Sequence, residues 1–183
     1  DIESGAELWS LDGVRSQSSS GTGTPVGFVR DGTVVFVATG DPYDPSAPPP
    51  ELLALDMSSG AQIASRPLRS PHHHLAVSPD GDRLATADGG GRLSVLDVEK
   101  LLGGAADAEI GSTELPSGDL PFGMAFGDDG TILYTPAGFL TTELLALAID
   151  DDLSVRWSID VSDVSNAVSR PVVDDDRVWI GAA

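Results

Sequence analysis

Three adjacent histidines, His72, His73 and His74, are the first candidates for chemistry in this 183-residue chain. Imidazoles ligate zinc and copper. In an extended strand, however, successive side chains leave opposite faces, so three in a row do not converge on one ion. The chain has no fourth histidine and no cysteine to complete a ligand set. The triplets Asp150–Asp152 and Asp174–Asp176 raise calcium as a ligand. A calcium loop needs alternating oxygen ligands and a glycine at fixed offsets, and neither triplet has that spacing. Gly89-Gly90-Gly91 lacks the lysine, the serine or threonine and the helix that a phosphate loop requires, so it reads as a tight turn. Neither a metal site nor a cofactor is expected.

One long segment, Asp41–Pro50, carries five prolines around Tyr43. Proline stiffens such a loop and tyrosine offers a rigid amphipathic contact. Tyr43, His72, His73 and His74 are therefore the expected binding residues. No Ser-His-Asp set, nucleophile elbow or paired-carboxylate arrangement stands out. The residues point away from catalysis.

The elements that must position these residues repeat along the chain. Val26–Ala38, Leu75–Ala87 and Met124–Tyr134 each place an Asp-Gly turn between two apolar runs. Asp-Gly in that setting is the strongest short hairpin signal, because glycine accepts the positive φ of such turns. The turn glycines Gly32, Gly81 and Gly130 lie 49 residues apart each time. A fourth copy, Pro171–Ile180, carries Asp176 where the glycine would stand. After each hairpin comes an apolar run ending in Asp: Leu52–Asp56, Leu93–Asp97 and Leu144–Asp150. A fourth run follows the next turn: Ala61–Ala64, Ala108–Ile110 to Glu114–Leu115, and Ser154–Ile159, with Ala6–Leu11 matching it at the start. Trp9 and Trp157 occupy matching places in that last run.

Helix competes for the third runs, but they are short and bounded by Gly, Pro and Asp. One helical turn is compatible with Leu96–Leu102. Four strands recurring over 40–50 residues predict an all-β fold: a β-propeller of four-stranded antiparallel blades. The expected blades are 25–68, 72–116 and 121–161. Residues 1–13 are expected to be the last strand of a preceding blade and 170–183 the first strands of a further one. Both ends read as cut within a blade, so an arc of about four blades from a larger ring is expected, with a closed four-bladed ring as the alternative.

Composition supports this reading. Glycine (21) and proline (13) suit a chain of many turns. Hydrophobic residues make up 40%, enough for a core. The formal charge is −19, with one lysine, Lys100, against nine arginines. Such a surface repels nucleic acid and anionic lipid. No apolar run reaches the ~18–20 residues of a membrane span.

Two segments resemble known repeats. Leu53–Ile63 resembles the quinoprotein (PQQ-type) repeat, Ala-x-Asp-x-x-Thr-Gly-x-x-x-Trp, departing at Ser59 for Thr and at Ala64 for Trp. Glu3–Trp9 resembles the tail of the same motif. Leu75–Ala87 with Gly91–Asp97 resembles a WD40 or YVTN-type blade. The resemblance implies that the Asp and Gly shape turns, and that Trp9, Trp157 and Trp179 pack between blades. It also places His72–His74 in a loop near the mouth of the central channel, on the same side as Tyr43. The function expected from this is a non-catalytic module that binds a protein, peptide or glycan partner, or scaffolds a larger extracytoplasmic or cell-surface protein. The alternatives are part of a quinone-dependent dehydrogenase, or the sensor propeller of a kinase or hydrolase.

Overall fold

Asp-Gly turns between apolar runs become hairpins, and each hairpin recruits the two strands that follow it. The computed structural model describes residues 7, 9–10, 26–30, 32–40, 46, 48–69, 72–116, 121, 123–138, 141–150, 152–163, 170–175 and 177–181; of His72 and His73 it describes the backbone alone. The first sheet holds β1 (Val26–Val29), β2 (Val34–Ala38), β3 (Glu51–Asp56) and β4 (Gln62–Pro67). The second holds β5 (His72–Val77), β6 (Arg83–Asp88), β7 (Arg92–Asp97) and β8 (Glu109–Glu114), with the short helix α1 (Val98–Leu102) between β7 and β8. The third holds β9 (Ala125–Phe126), β10 (Ile132–Pro136), β11 (Glu143–Ala148) and β12 (Val155–Asp160). A two-stranded hairpin, β13 (Val172–Asp174) and β14 (Arg177–Trp179), follows. In each four-stranded sheet the strands lie side by side in chain order, all antiparallel.

The sheets repeat in detail. Gly32, Gly81 and Gly130 take φ of +81°, +77° and +67°, where a Cβ would be strained. Behind each turn a backbone amide reaches the residue after the glycine or its counterpart: Met57 to Thr33, Val98 to Asp82 and Ile149 to Thr131. The ladder between third and fourth strands slips once in every sheet, after Ala54, Val95 and Ala146. Such a bulge adds local twist, and its recurrence at one ladder position gives the three sheets a common shape.

Stacking supplies the core. β2 is buried along its whole length, and β3, β7 and β11 are buried at their four central residues. A middle strand with sheets on both faces has no wet side, so its run is apolar throughout rather than alternating. Alternation instead divides the residues between two interfaces. Val34, Phe36 and Ala38 meet Leu75, Leu84 and Leu96 of the second sheet, while Val35 and Val37 face away, toward Trp9. The other face of the second sheet, through Ala85, Leu93 and Val95, meets Phe126, Leu133 and Leu147 of the third. The first strands β1, β5, β9 and β13 touch in succession, so the sheets radiate from them as blades.

Two expectations are modified, and the helical turn compatible with Leu96–Leu102 is present as α1, whose N-cap Asp97 accepts the Lys100 amide at 2.9 Å. β4 runs on to Pro67, beyond the apolar stretch that marks its start, because an outer strand alternates with solvent. Of the strand expected at Ala6–Leu11, residues 7, 9 and 10 are described, and they lie in no strand; the remainder lies outside the described residues.

Candidate functional site

The two ends of the blades differ in what they leave available. At one end stand the hairpin turns and the third-to-fourth-strand turns. Their polar side chains serve the turns themselves. Asp56 accepts from the amides and hydroxyls of both Ser58 and Ser59, at 2.6–3.0 Å. The Ser58 hydroxyl bond, then that of Ser59, draws its pKa down from 3.8 to about 2. Asp80 binds the Ser78 hydroxyl at 2.5 Å, Asp129 the Thr131 amide and hydroxyl, and Asp150 the Ser154 amide and hydroxyl. Each of these carboxyls is likewise held below its ordinary pKa by those bonds. Two arginines clasp neighbouring blades at this end: Arg30 pairs with Glu99 of α1, and Arg83 Nη1 donates to the Gly130 carbonyl at 2.5 Å.

The opposite end carries the connection from β2 to β3, the tight turn from β6 to β7 and the passages between blades. Gly90 and Arg92 donate their amides to Asp88 Oδ1 at 2.9 and 3.0 Å, so Gly89–Gly91 is the tight turn expected. Here the space between the first two blades turns polar. A cleft of about 160 Å³ is lined by Arg66, Arg69, Thr86, Asp88, Arg92 and Glu109, among others. Thr86, Asp88 and Ser94 in its wall are buried. Arg92 donates to the Ser112 hydroxyl at 2.6 Å and to Glu109 at 3.0 Å, with Glu114 at 3.6 Å. Arg66 reaches across from β4, its Nη2 3.8 Å from Glu109.

The expected binding residues meet this end unevenly. Tyr43 lies outside the described residues. His72, His73 and His74 open β5 itself rather than occupy a loop before it. A register shift between His72 and His74 sets His72 opposite Asp88, a residue of the cleft wall, and His74 opposite Ala87. His74 is buried at 2% exposure. Among the described residues, no three His, Asp or Glu side chains gather as a metal would need. Asp151 and Asp176 lie outside the described residues.

The tryptophans divide. Trp9 packs against Val35, Val37, Leu53 and Leu55 of the first blade, and its indole N–H donates to the Met57 carbonyl at 2.7 Å. Gly60 lies directly beneath the ring; a Cβ there would come within 2.7 Å of it. Trp157 and Trp179 are 42% and 55% exposed. Trp157 stands on the far face of the third sheet, where Tyr134 is its ring neighbour at 5.8 Å.

The cleft itself escapes sequence reasoning. Arg66, Arg92 and Glu109 come from three strands of two blades and share no local spacing. The one available signal is compositional: arginines at 66, 69 and 92 stand out in a chain this acidic.

No family model matches the chain, and no curated protein is similar to it. Solved structures do match. The β-propeller domain of Cps50 (Swd1) from Myceliophteria thermophila superposes with a TM-score of 0.68 at 14% identity, over 87% of this chain and 47% of that one. The WD40 repeats of RRP9 match at 0.67 and 15% identity, over 86% and 44%. A chain of hydrazine synthase from Kuenenia stuttgartiensis matches at 0.61 and 17%, over 89% and 42%. The chain thus spans less than half the length of the structures it matches. At such identities the likeness speaks for fold alone, and it agrees with the four-stranded antiparallel sheets: the chain is a stretch of β-propeller.

Proposed function

We propose that the chain is a propeller binding module that engages a protein or peptide partner at the end carrying the β2–β3 connection and the passages between blades. The supporting observation is the asymmetry of the two ends. At the turn end, the aspartates are engaged by the serines and threonines of their own turns. At the other end, twelve residues separate Ala38 from Glu51, and a polar cleft opens between the first two blades. Long connections on a rigid scaffold are where binding resides. The quinone-dependent alternative rests on the resemblance of Leu53–Ile63, and there Asp56 shapes a turn while Gly60 seats Trp9.

Dodecapeptides selected from a random display library against the chain test this reading. Tyr43→Ala and His73→Ala are expected to weaken selected peptides by about tenfold or more, as the loss of an interface anchor does. Thr33→Ala and Thr131→Ala, at the turn end, are expected to leave affinity within about twofold. The reverse pattern would overturn the assignment of the binding end.

A further inference from the structure

The cleft between the first two blades is polar where the neighbouring interface is apolar. A row of hydroxyls crosses the second sheet, with Thr86 opposite Ser94 and Ser94 opposite Ser112. Arg66 and Arg69 come to the cleft from the first blade and Arg92 from the second. Three of the nine arginines of a chain with charge −19 therefore line one small space.

The three are not equally matched. Arg92 meets Ser112, Glu109 and Glu114. Arg66 meets one oxygen of a carboxylate already bound to Arg92, at 3.8 Å, beyond hydrogen-bond range. Its Nη1 is sealed from solvent with no hydrogen-bond partner. A buried charged donor without an acceptor is costly. One glutamate thus faces two guanidinium groups, and Arg66 Nη1 has no acceptor. A guanidinium presents a planar fork of donors that fits a second carboxylate two-pronged.

We propose that this cleft binds the carboxylate of an aspartate or glutamate side chain in a peptide partner. Arg66 turns its fork to the incoming carboxylate, Arg69 stands at the mouth, and the Thr86 and Ser94 hydroxyls lie in the wall. The proposal rests on the reading of this end as the binding surface and deepens it. Size agrees with a side chain: the cleft is about 160 Å³, below the ~300 Å³ where sites for whole small molecules begin. Charge selects the context. At physiological salt the screening length is about 8 Å, so a carboxylate in the cleft meets the guanidinium groups of Arg66, Arg69 and Arg92 together with the carboxylates of Asp88 and Glu109, which the arginines outnumber. A run of acidic residues would extend over the acidic surface around it and be repelled. The favoured peptide carries one acidic residue among neutral ones.

Amide-resolved NMR titration of the 183-residue chain tests this, with N-acetyl-glutamate N-methylamide as probe and the glutamine analogue as control. The glutamate probe is expected to shift the amides of Arg66, Leu68, Thr86 and Ser94 and to saturate in the millimolar range; the glutamine analogue is expected to leave them in place. Arg66→Gln is expected to weaken the glutamate probe by about tenfold or more, with Arg66→Lys intermediate, because lysine keeps the charge and loses the fork. Equal shifts from both probes overturn the proposal. So does an Arg66→Gln chain that melts lower yet titrates unchanged, since Arg66 is then a clasp between blades and nothing more. Should Arg66→Gln fail to fold, Arg69→Gln is read instead, and an unchanged titration there overturns the role of the mouth. Selected peptides that bind this end without a carboxylate and ignore Arg66→Gln leave the binding module standing and refute the carboxylate; no peptide binding at all refutes both.

Discussion

Asp56 illustrates how one residue type serves different local structures at the same end of the blades. At the end of the third strand in the first blade, it gathers the amides and hydroxyls of Ser58 and Ser59. Its counterpart Asp97 caps a helix; in the third blade Ala148 takes that place, and Asp150, two residues on, holds Ser154. A short acceptor side chain competes for whichever backbone donors the next residues present. Because the Asp56 bonds favour the charged carboxylate, its pKa in the folded chain is about 2 against an ordinary 3.8. A group depressed in this way stabilises the fold above its unfolded pKa, and that contribution is lost as pH falls through the folded value. The melting temperature is therefore expected to decline between about pH 4 and pH 2. Asp56→Asn should flatten part of that decline, as measured by thermal denaturation across the window. An identical slope in both chains would mean the serine contacts contribute nothing.

At the scale of strands, the blade-to-blade interface tightens toward the first strands. β1 lies against β5 at Gly27, where a Cβ would come within 2.9 Å of Val77 Cγ2 and 3.6 Å of Leu84 Cδ1. Both neighbours belong to packed strands, and Leu84 is fully buried. Gly27→Val is accordingly expected to destabilise the chain by ~1–3 kcal/mol, the usual range for overpacking a close contact, read from urea denaturation; unchanged stability would show that the first two blades do not meet as closely as their strands indicate. How legible such elements are in the sequence depends on whether their cause is local. The hairpins at Gly32, Gly81 and Gly130 announce themselves because a tight turn with a positive φ dictates its own residues. α1 is less legible because Asp97 is equally suited to a strand-ending turn and to a helix N-cap, and the packing of Val98 and Leu101 into the first interface favours the helix. The cleft leaves no local trace, since Arg66 and Glu109 come together only when β4 and β8 of different blades are stacked. His72–His74, conspicuous as a triplet, become the start of β5, because Leu75, Ala76 and Val77 beyond them pair with β6 and extend the ladder back to Asp88.

The whole molecule carries 29 acidic residues against 10 basic ones. Folding concentrates that charge, because the apolar residues withdraw between the sheets while aspartates such as Asp80, Asp82 and Asp129 stay at turns on the surface. The clasps Arg30–Glu99, Arg92–Glu109 and Lys100–Asp107 offset it locally, but exposed pairs of this kind contribute only ~0–1 kcal/mol each. The remaining repulsion acts over a screening length that falls from ~10 Å at 0.1 M salt to ~3 Å at 1 M. Self-repulsion weakens as that length shrinks, whereas the apolar interfaces do not depend on charge. Melting temperature is thus expected to rise steadily as sodium chloride increases from about 0.05 to 1 M. Potassium chloride should act alike, since screening depends on ionic strength rather than on the cation. A melting temperature that falls with salt would mean that the arginine and lysine clasps outweigh the net charge. A rise with calcium chloride well beyond its ionic strength would instead indicate a specific cation site among the carboxylates.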